Sequence, residues 1–172
     1  ASYGVTGNQN ISSYSSVEKM NTYVYPIGGV TNVGIAAGNM PNPDLKWETT
    51  AISDIGVDFG FLNNRFNFVA DYYYKKTKDM LMYVSLPAGQ AADNISRNEG
   101  EMTNKGFEFT VNSRNLTGEF SWNTDFNISF NKNKLTKLAL SKVYYGAMTS
   151  DVVHENVVRN EPGRSLGGFY GY

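Results

Sequence analysis

The sequence predicts an all-β fold, an antiparallel meander that forms part of a large transmembrane β-barrel. Apolar and polar residues alternate in four segments between residues 54 and 131, and the apolar set is strongly aromatic. The polar set is rich in carboxylates and amides. Side chains of a strand point alternately to opposite faces, so each segment has one apolar face and one polar face. This division is typical of a wall between lipid and a water-filled lumen.

The individual elements follow from this alternation and from the turn residues. Residues 1–7 are predicted to end a strand, and 8–42 to form a long loop with its own hairpin and one short helical turn over 17–25. Further strands are predicted at about 46–61, 66–84, 101–114, 119–138 and 152–159, with tight turns at 62–65 and 115–118 and loops at 86–98 and 140–151. Long and short connections therefore alternate, as they do in outer-membrane barrels.

Asparagine and proline mark the two kinds of connection. Asn63 and Asn64 are expected to form a two-residue hairpin loop, because asparagine tolerates the positive φ that this loop requires. Pro41, Pro43 and Pro87 lie in the long connections, where the missing N–H group of proline interrupts no strand pairing.

The strand dimensions fit a bilayer. A strand tilted by about 40° advances roughly 2.5 Å along the membrane normal per residue, so the aromatic span from Phe120 to Phe130 covers about 25 Å. Beyond that span, the same side of the strand carries Lys132 and Lys134, which can reach the interface. The aromatic girdles are expected to include Trp122, Tyr72 and Tyr74.

A soluble β-sandwich that binds glycans or serves in adhesion is the alternative interpretation, because its strands also alternate. A sandwich core usually favours Val, Leu and Ile over this many Phe and Tyr residues. A β-rich glycoside hydrolase is a further possibility. It requires two carboxylates at a set separation in a cleft, which the sequence does not define.

Composition excludes several classes of function. The 172 residues include 15 basic and 16 acidic residues, with no cationic block, so no nucleic-acid partner is predicted. Cysteine is absent, which excludes disulfides, thiolate metal sites and a cysteine nucleophile. The one histidine, His154, has no further metal-ligating residues at a suitable spacing, so no metal site is predicted. No cofactor and no catalytic residue are predicted either. The first residues lack the pattern of a signal peptide.

Five polar-face residues are the candidate substrate-binding residues of a lumen wall. They could line a solute path, hold another domain by hydrogen bonds, or simply form a solvated surface; they are Asn67, Asp71, Glu108, Asp125 and Asn127. Five loop tyrosines could stack on sugar rings, or pack against the loops themselves or a lid protein; they are Tyr14, Tyr23, Tyr25, Tyr144 and Tyr145.

A series of short motifs carries a family resemblance. In order they are N-P-D-L-K-W-E-T-T at 42–50, G-V-D-F-G at 56–60, N-N-R at 63–65, D-Y-Y at 71–73, K-T-K-D at 76–79, N-K-G at 104–106 and P-G-R-S-L-G-G-F-Y-G-Y at 162–172. In this order and spacing, the chain resembles the SusC/RagA-type TonB-dependent outer-membrane transporters.

The resemblance implies a late part of a 22-stranded barrel, with residues 1–172 all barrel and with the plug domain and closing strands expected to be missing. It implies TonB-dependent import of glycan oligomers or peptides across the outer membrane of a Gram-negative bacterium. The implied partners are a SusD-like surface lipoprotein as lid, the TonB complex through the plug, and the lipid bilayer. No enzymatic activity and no cofactor are implied.

Overall fold

The computed structural model describes residues 1–9, 13–87, 89–90, 92, 94–138, 144–146 and 158–169, with the backbone alone for 144–146. These residues form strands and turns, and they include no helix long and apolar enough to cross a membrane. The strands are β1 (Ser2–Asn8), β2 (Lys19–Ile27), β3 (Val30–Asn39), β4 (Glu48–Phe61), β5 (Phe66–Ser85), β6 (Asn94–Thr117), β7 (Ser121–Lys137), β8 (Tyr144–Gly146), β9 (Val158–Asn160) and β10 (Gly168–Phe169).

The main sheet has five antiparallel strands in the order β1-β4-β5-β6-β7. Apart from the inserted hairpin β2–β3, neighbours in the chain are neighbours in this sheet, which confirms the predicted meander. Strands β10, β9 and β8 form a separate three-stranded sheet. The predicted strand at 152–159 is described from residue 158 onward, and the rest of it lies outside the described residues.

The predicted hairpin within residues 8–42 is confirmed, whereas the helical turn at 17–25 is wrong. Residues 19–27 form β2, which pairs with β3 along its whole length, from Lys19 with Asn39 to Ile27 with Val30. Valine, tyrosine and threonine favour an extended strand, and pairing with β3 satisfies the backbone groups that a single helical turn would leave open.

Strand β6 begins seven residues before the predicted position 101, so the predicted loop at 86–98 is shorter. Two contacts from the segment before β4 hold this extension. Met40 N–H donates to the carbonyl oxygen of Asn94 at 3.0 Å, and Asn42 Nδ2 donates to that of Ser96 at 2.7 Å. These contacts come from residues about fifty positions away in sequence, so the alternation pattern could not reveal them.

The first tight turn has the predicted geometry. Asn63 and Asn64 have φ values of 54° and 58°, and Arg65 N–H donates to the carbonyl oxygen of Leu62 at 3.1 Å. The second turn lies at 118–120 rather than at 115–118. A register shift between Arg114 and Leu116 adds a residue to β6 and moves the turn along the chain.

Direct strand pairing gathers the aromatic residues on one side of the main sheet, which we call the aromatic face. It consists of Ile55, Val57, Phe59, Phe61, Phe66, Phe68, Ala70, Tyr72, Tyr74, Phe107, Phe109, Val111, Phe126, Ile128 and Phe130. Ring centroids of Phe59 and Phe68 are 5.1 Å apart, and those of Phe68 and Phe109 are 6.3 Å apart. These contacts lie within the distance range of favourable aromatic pairs.

This face is not covered by a second sheet among the described residues. Phe126 exposes 51% of its surface and Phe130 exposes 60%, although both lie mid-strand. The buried apolar residues in the described part of the chain are Ala92, Ile95, Leu135 and Leu138, all outside the aromatic face. The main sheet is therefore a single layer, which excludes the β-sandwich for the described residues.

Candidate functional site: the polar face of the main sheet

The opposite side of the main sheet, which we call the polar face, holds all five predicted candidate residues. Four rows of directly paired residues cross it from β4 to β7. They are Gly60, Asn67, Asn112 and Asp125; Asp58, Val69, Thr110 and Asn127; Gly56, Asp71, Glu108 and Ser129; and Asp54, Tyr73, Gly106 and Asn131. Because the strand period is two, one correct register places every candidate on the same side.

Asn67 and Asp125 lie in one row and line a shallow cavity of about 320 Å³ near the tight turns. Between them stands Asn112, whose Nδ2 donates to Asp125 Oδ1 at 2.7 Å. Asn112 was not among the predicted candidates, although it shares the alternation of Glu108 and Thr110 in β6. Its amide orients the carboxylate of Asp125.

Asp71 and Glu108 are directly paired across β5 and β6, two rows from this cavity. Like charges in such a pair repel each other. The carboxylate of Asp71 lies over Gly56 on the other neighbouring strand, because a Cβ at Gly56 would overlap Asp71 Oδ1. The glycine therefore gives Asp71 room to lean toward β4, on the side of β5 opposite Glu108.

Asn127 lies in the row between these two groups, opposite Thr110, and it is exposed. It does not line the cavity formed around Asn67 and Asp125. The candidates thus form a patch of amides and carboxylates along one face of the sheet. Within this patch, Asn112 hydrogen-bonds to Asp125 beside the shallow cavity.

The carboxylates and amides of the polar face project from a single wall. Asp71 and Glu108 project from neighbouring strands of one wall, whereas glycoside hydrolysis needs carboxylates on both sides of the scissile bond. Within the described ranges, no group of three or more His, Cys, Asp and Glu residues is placed to hold a metal ion. His154 lies outside the described residues.

Three of the five loop tyrosines have described side chains, and they lie in two different parts of the segment 8–42. Tyr14 is 77% exposed, while the Tyr25 ring lies over Gly34 of its own hairpin, where an added Cβ would be 2.6 Å from Tyr25 Cε1. Tyr23 is on the same side of this hairpin, because it pairs with Gly34 directly. The side chains of Tyr144 and Tyr145 lie outside the described residues.

Asn98 joins β6 by hydrogen bonds to the segment before β4 and to β5, at the end of the main sheet that carries the long loops. The sequence did not indicate this role. Asn98 Oδ1 accepts from Lys46 N–H at 2.9 Å, and its Nδ2 donates to the carbonyl oxygens of Lys46 at 2.7 Å and of Asp79 at 2.8 Å. Asp79 has a φ of 55° and lies in a bulge of β5. An ion pair of 3.2 Å between Lys46 Nζ and Asp79 Oδ1 closes the same junction.

The chain is similar in sequence to known receptor proteins. Residues 1–164 match the family model described as TonB dependent receptor-like, beta-barrel. The chain is 37% identical over 174 residues to TonB-dependent receptor P3 of Formosa agariphila, covering 100% of the chain and 17% of that relative. It is 36% identical over 143 residues to TonB-dependent receptor SusC of Bacteroides thetaiotaomicron, covering 79% of the chain and 14% of that relative.

A solved structure is similar to this chain in its fold. The RagAB peptide transporter superposes with a TM-score of 0.76 at 25% identity, over 94% of this chain and 17% of that one. The chain therefore spans less than a fifth of the length of the proteins that it resembles.

Proposed function

The chain belongs to the TonB-dependent receptor-like β-barrel family, and we propose that the protein of which it forms part imports glycan oligomers or peptides across the outer membrane of a Gram-negative bacterium. The aromatic face contacts lipid, and the polar face lines the lumen. The observation that carries this proposal is the single-layer sheet with one exposed aromatic face and one face of carboxylates and amides. A wall of this kind suits the boundary between hydrocarbon and water.

The strand lengths support the same placement. Strand β6 has 24 residues, whereas about 9–11 tilted residues cross the hydrocarbon core. The surplus lies toward the long connections, and in outer-membrane barrels the longer loops are extracellular. The loop end that Asn98 organises therefore projects outward from the membrane.

The chemistry of the polar face favours uncharged or cationic cargo. Its four rows carry five carboxylates, Asp54, Asp58, Asp71, Glu108 and Asp125. The cations Lys75 and Arg114 lie on the same face outside these rows, so carboxylates outnumber them. Hydroxyl groups of sugars and amide groups of peptides can hydrogen-bond to such a surface, while strongly anionic solutes are repelled. One similar structure is named a peptide transporter, which supports the peptide alternative.

The proposal includes two protein partners. A SusD-like surface lipoprotein closes the extracellular end of the barrel, and the TonB complex supplies energy through a plug domain. The similarity to SusC and to a RagAB structure supports both partners. No bond of the cargo is made or broken in this scheme, so the protein acts as a transporter and not as an enzyme.

Uptake measurements in the native host test the proposal. We expect that deleting the gene that encodes this segment abolishes uptake of a labelled neutral oligosaccharide pool or a labelled peptide pool. Deleting the gene for TonB should have the same effect. Unchanged uptake of both pools in the gene-deletion strain would show that the import proposal is wrong. The lid is tested separately, by purifying the tagged receptor and identifying a surface lipoprotein that remains bound.

A further inference from the structure

Lysines form a band on the aromatic side of the main sheet, immediately beyond its aromatic residues on the side of the long loops. We call Lys76, Lys105, Lys132 and Lys134 the outer lysine band. Lys105 pairs directly with Tyr74 on one side and with Lys132 on the other. In the next row on this side, Thr103 stands between Lys76 and Lys134. Four cations from three strands therefore lie in two adjacent rows of the wall.

Most of this charge has no counter-ion among the described residues. Lys76 Nζ is 3.7 Å from Glu101 Oε2, which is a loose ion pair. In the described part of the chain, Lys105, Lys132 and Lys134 form no ion pair, and all three are exposed. Lys105 and Lys132 are also direct cross-strand neighbours, and like charges in such a pair are destabilising. An anion that binds between them would offset this repulsion.

A cavity adjoins the band at the edge of β7. It has a volume of about 420 Å³, and its walls include Lys132, Lys134, Arg159 and Arg164. Glu161 forms ion pairs with both arginines, with Arg159 at 2.6 Å. The cavity thus has four cations and one nearby carboxylate, and it opens beside the lysines that lie on the aromatic side of the wall.

The level of the band identifies the class of anion. Lys132 follows Phe130 by two residues, or about 5 Å along the membrane normal for a tilted strand. Lysines at this distance from the apolar span lie among the headgroups, and clustered lysines there bind anionic lipids. By contrast, the polar face at this level carries one lysine, Lys75, which pairs with Asn104.

We propose that the outer lysine band and its adjoining cavity bind the phosphate groups of a phosphorylated glycolipid in the outer leaflet. This inference rests on the proposed orientation of the wall in the outer membrane, but it does not depend on the cargo. The lipid fixes the wall by neutralising Lys105, Lys132 and Lys134, while its acyl chains cover the aromatic face below.

A binding measurement on the whole purified protein tests this inference. The probes are lipid A that carries both phosphates and lipid A from which both have been removed, each in mixed detergent micelles. We expect the triple variant K105Q/K132Q/K134Q to bind the phosphorylated lipid at least roughly tenfold more weakly than wild type, since each lysine near an anionic surface contributes several-fold. The matched control K75Q/R114Q removes two cations that point to the other side of the sheet and should keep wild-type affinity for the same lipid.

Two further measurements keep the test decisive. Raising the salt concentration from about 0.1 to 1 M on the wild-type protein should weaken binding of the phosphorylated lipid strongly, because the screening length falls from about 10 to 3 Å. This arm does not depend on the folding of any variant. Resistance of each variant to heating in SDS reports whether its barrel is intact.

Several results would overturn the inference. They are equal binding of the two lipids by wild type and wild-type affinity in the triple variant. A disulfide cross-link between two copies of the K132C variant would also overturn it, because it would show that protein covers this surface. None of these results depends on uptake. A transporter with normal cargo import and no lipid preference would contradict this inference alone.

Discussion

The carboxylate of Asp71 occupies the space above Gly56, its direct partner on β4. Because Gly56 has no side chain, the carboxylate of Asp71 can turn toward β4. On its other side Asp71 is paired with Glu108, so the glycine allows the two carboxylates to stay apart.

Replacing Gly56 with alanine should therefore destabilise the barrel. The new Cβ would displace the Asp71 carboxylate toward Glu108, and overpacking of this kind costs about 1–3 kcal/mol. The measurement is the free energy of unfolding of the whole protein in urea, after folding into lipid vesicles. Because Asp71→Ala removes the group that clashes, G56A should cost little in the D71A background. Strictly additive effects would show that the contact does not govern this position.

Gly106 should be less tolerant still. An added Cβ would lie 2.5 Å from Tyr73 Cζ and 2.7 Å from the backbone oxygen of Phe130, and a paired strand cannot move aside as a carboxylate can. We expect Gly106→Ala to lower the free energy of unfolding by about 2–3 kcal/mol. Gly4→Ala is the matched control, because Gly4 also lies in a strand of the main sheet and has open space around it. Equal effects at the two positions would contradict the packing of Tyr73 over Gly106.

Phe126 and Asn127 are adjacent residues that point to opposite faces, so they give a direct test of which face contacts lipid. Arginine at a lipid-facing position near the bilayer midplane costs about 2–4 kcal/mol, so Phe126→Arg should destabilise the barrel by that amount. Asn127→Arg should change stability little, because its side chain extends into water. Resistance to heating in SDS is the measurement. The opposite order of sensitivity would mean that the faces are assigned the wrong way round.

Much of this architecture was predictable because alternation has a period of two. The tight turn at Asn63 and Asn64 defined the pairing of β4 with β5, and the alternation around Phe68, Phe109 and Phe126 defined the two faces of β5, β6 and β7. All the candidate residues therefore fell on one face. The candidate Asp125 could therefore be placed from the sequence alone.

The rest depended on contacts between residues far apart in the chain. The early start of β6 depends on its pairing with residues 81–85 of β5, to which Met40 and Asn42 add hydrogen bonds. The direction of the Asp71 side chain depends on a glycine on another strand. The side-chain bond between Asn112 and Asp125 needs the actual register and rotamers. Periodicity gives the face of a residue but not the direction in which its side chain leans within that face.

Asn98 should be critical for the loop end of the sheet. Asn98→Ala would remove one accepted and two donated hydrogen bonds, which leaves the backbone groups of Lys46 and the carbonyl of Asp79 unpaired. Each net hydrogen bond is worth about 0.5–1.5 kcal/mol, so the segment from Asn42 to Lys46 should open locally. Faster amide hydrogen exchange and faster proteolysis in this segment are the readouts.

Asn98→Asp is the control for this effect. It keeps the oxygen that accepts from Lys46 N–H but places a carboxylate oxygen against the carbonyl oxygens of Lys46 and Asp79, to which Nδ2 donates in wild type. Its exchange rates should therefore be at least as fast as those of Asn98→Ala, because the two donated bonds dominate. Unchanged exchange in the alanine variant would mean that the ion pair between Lys46 and Asp79 is sufficient to hold the junction.

Asn64 offers a change that should stabilise the protein. Its φ of 58° is a left-handed conformation, which glycine adopts without steric cost and which an ordinary residue adopts at about 1–2 kcal/mol. Asn64→Gly creates the Asn-Gly pair most favoured in such loops, so its stability should equal or exceed that of wild type. Asn64→Ala should lose about 1 kcal/mol and Asn64→Val more, because a β-branched side chain is strained further at positive φ. The free energy of unfolding should thus fall in the order Gly, Asn, Ala, Val. An alanine variant as stable as the glycine variant would show that the turn does not require positive φ at this position.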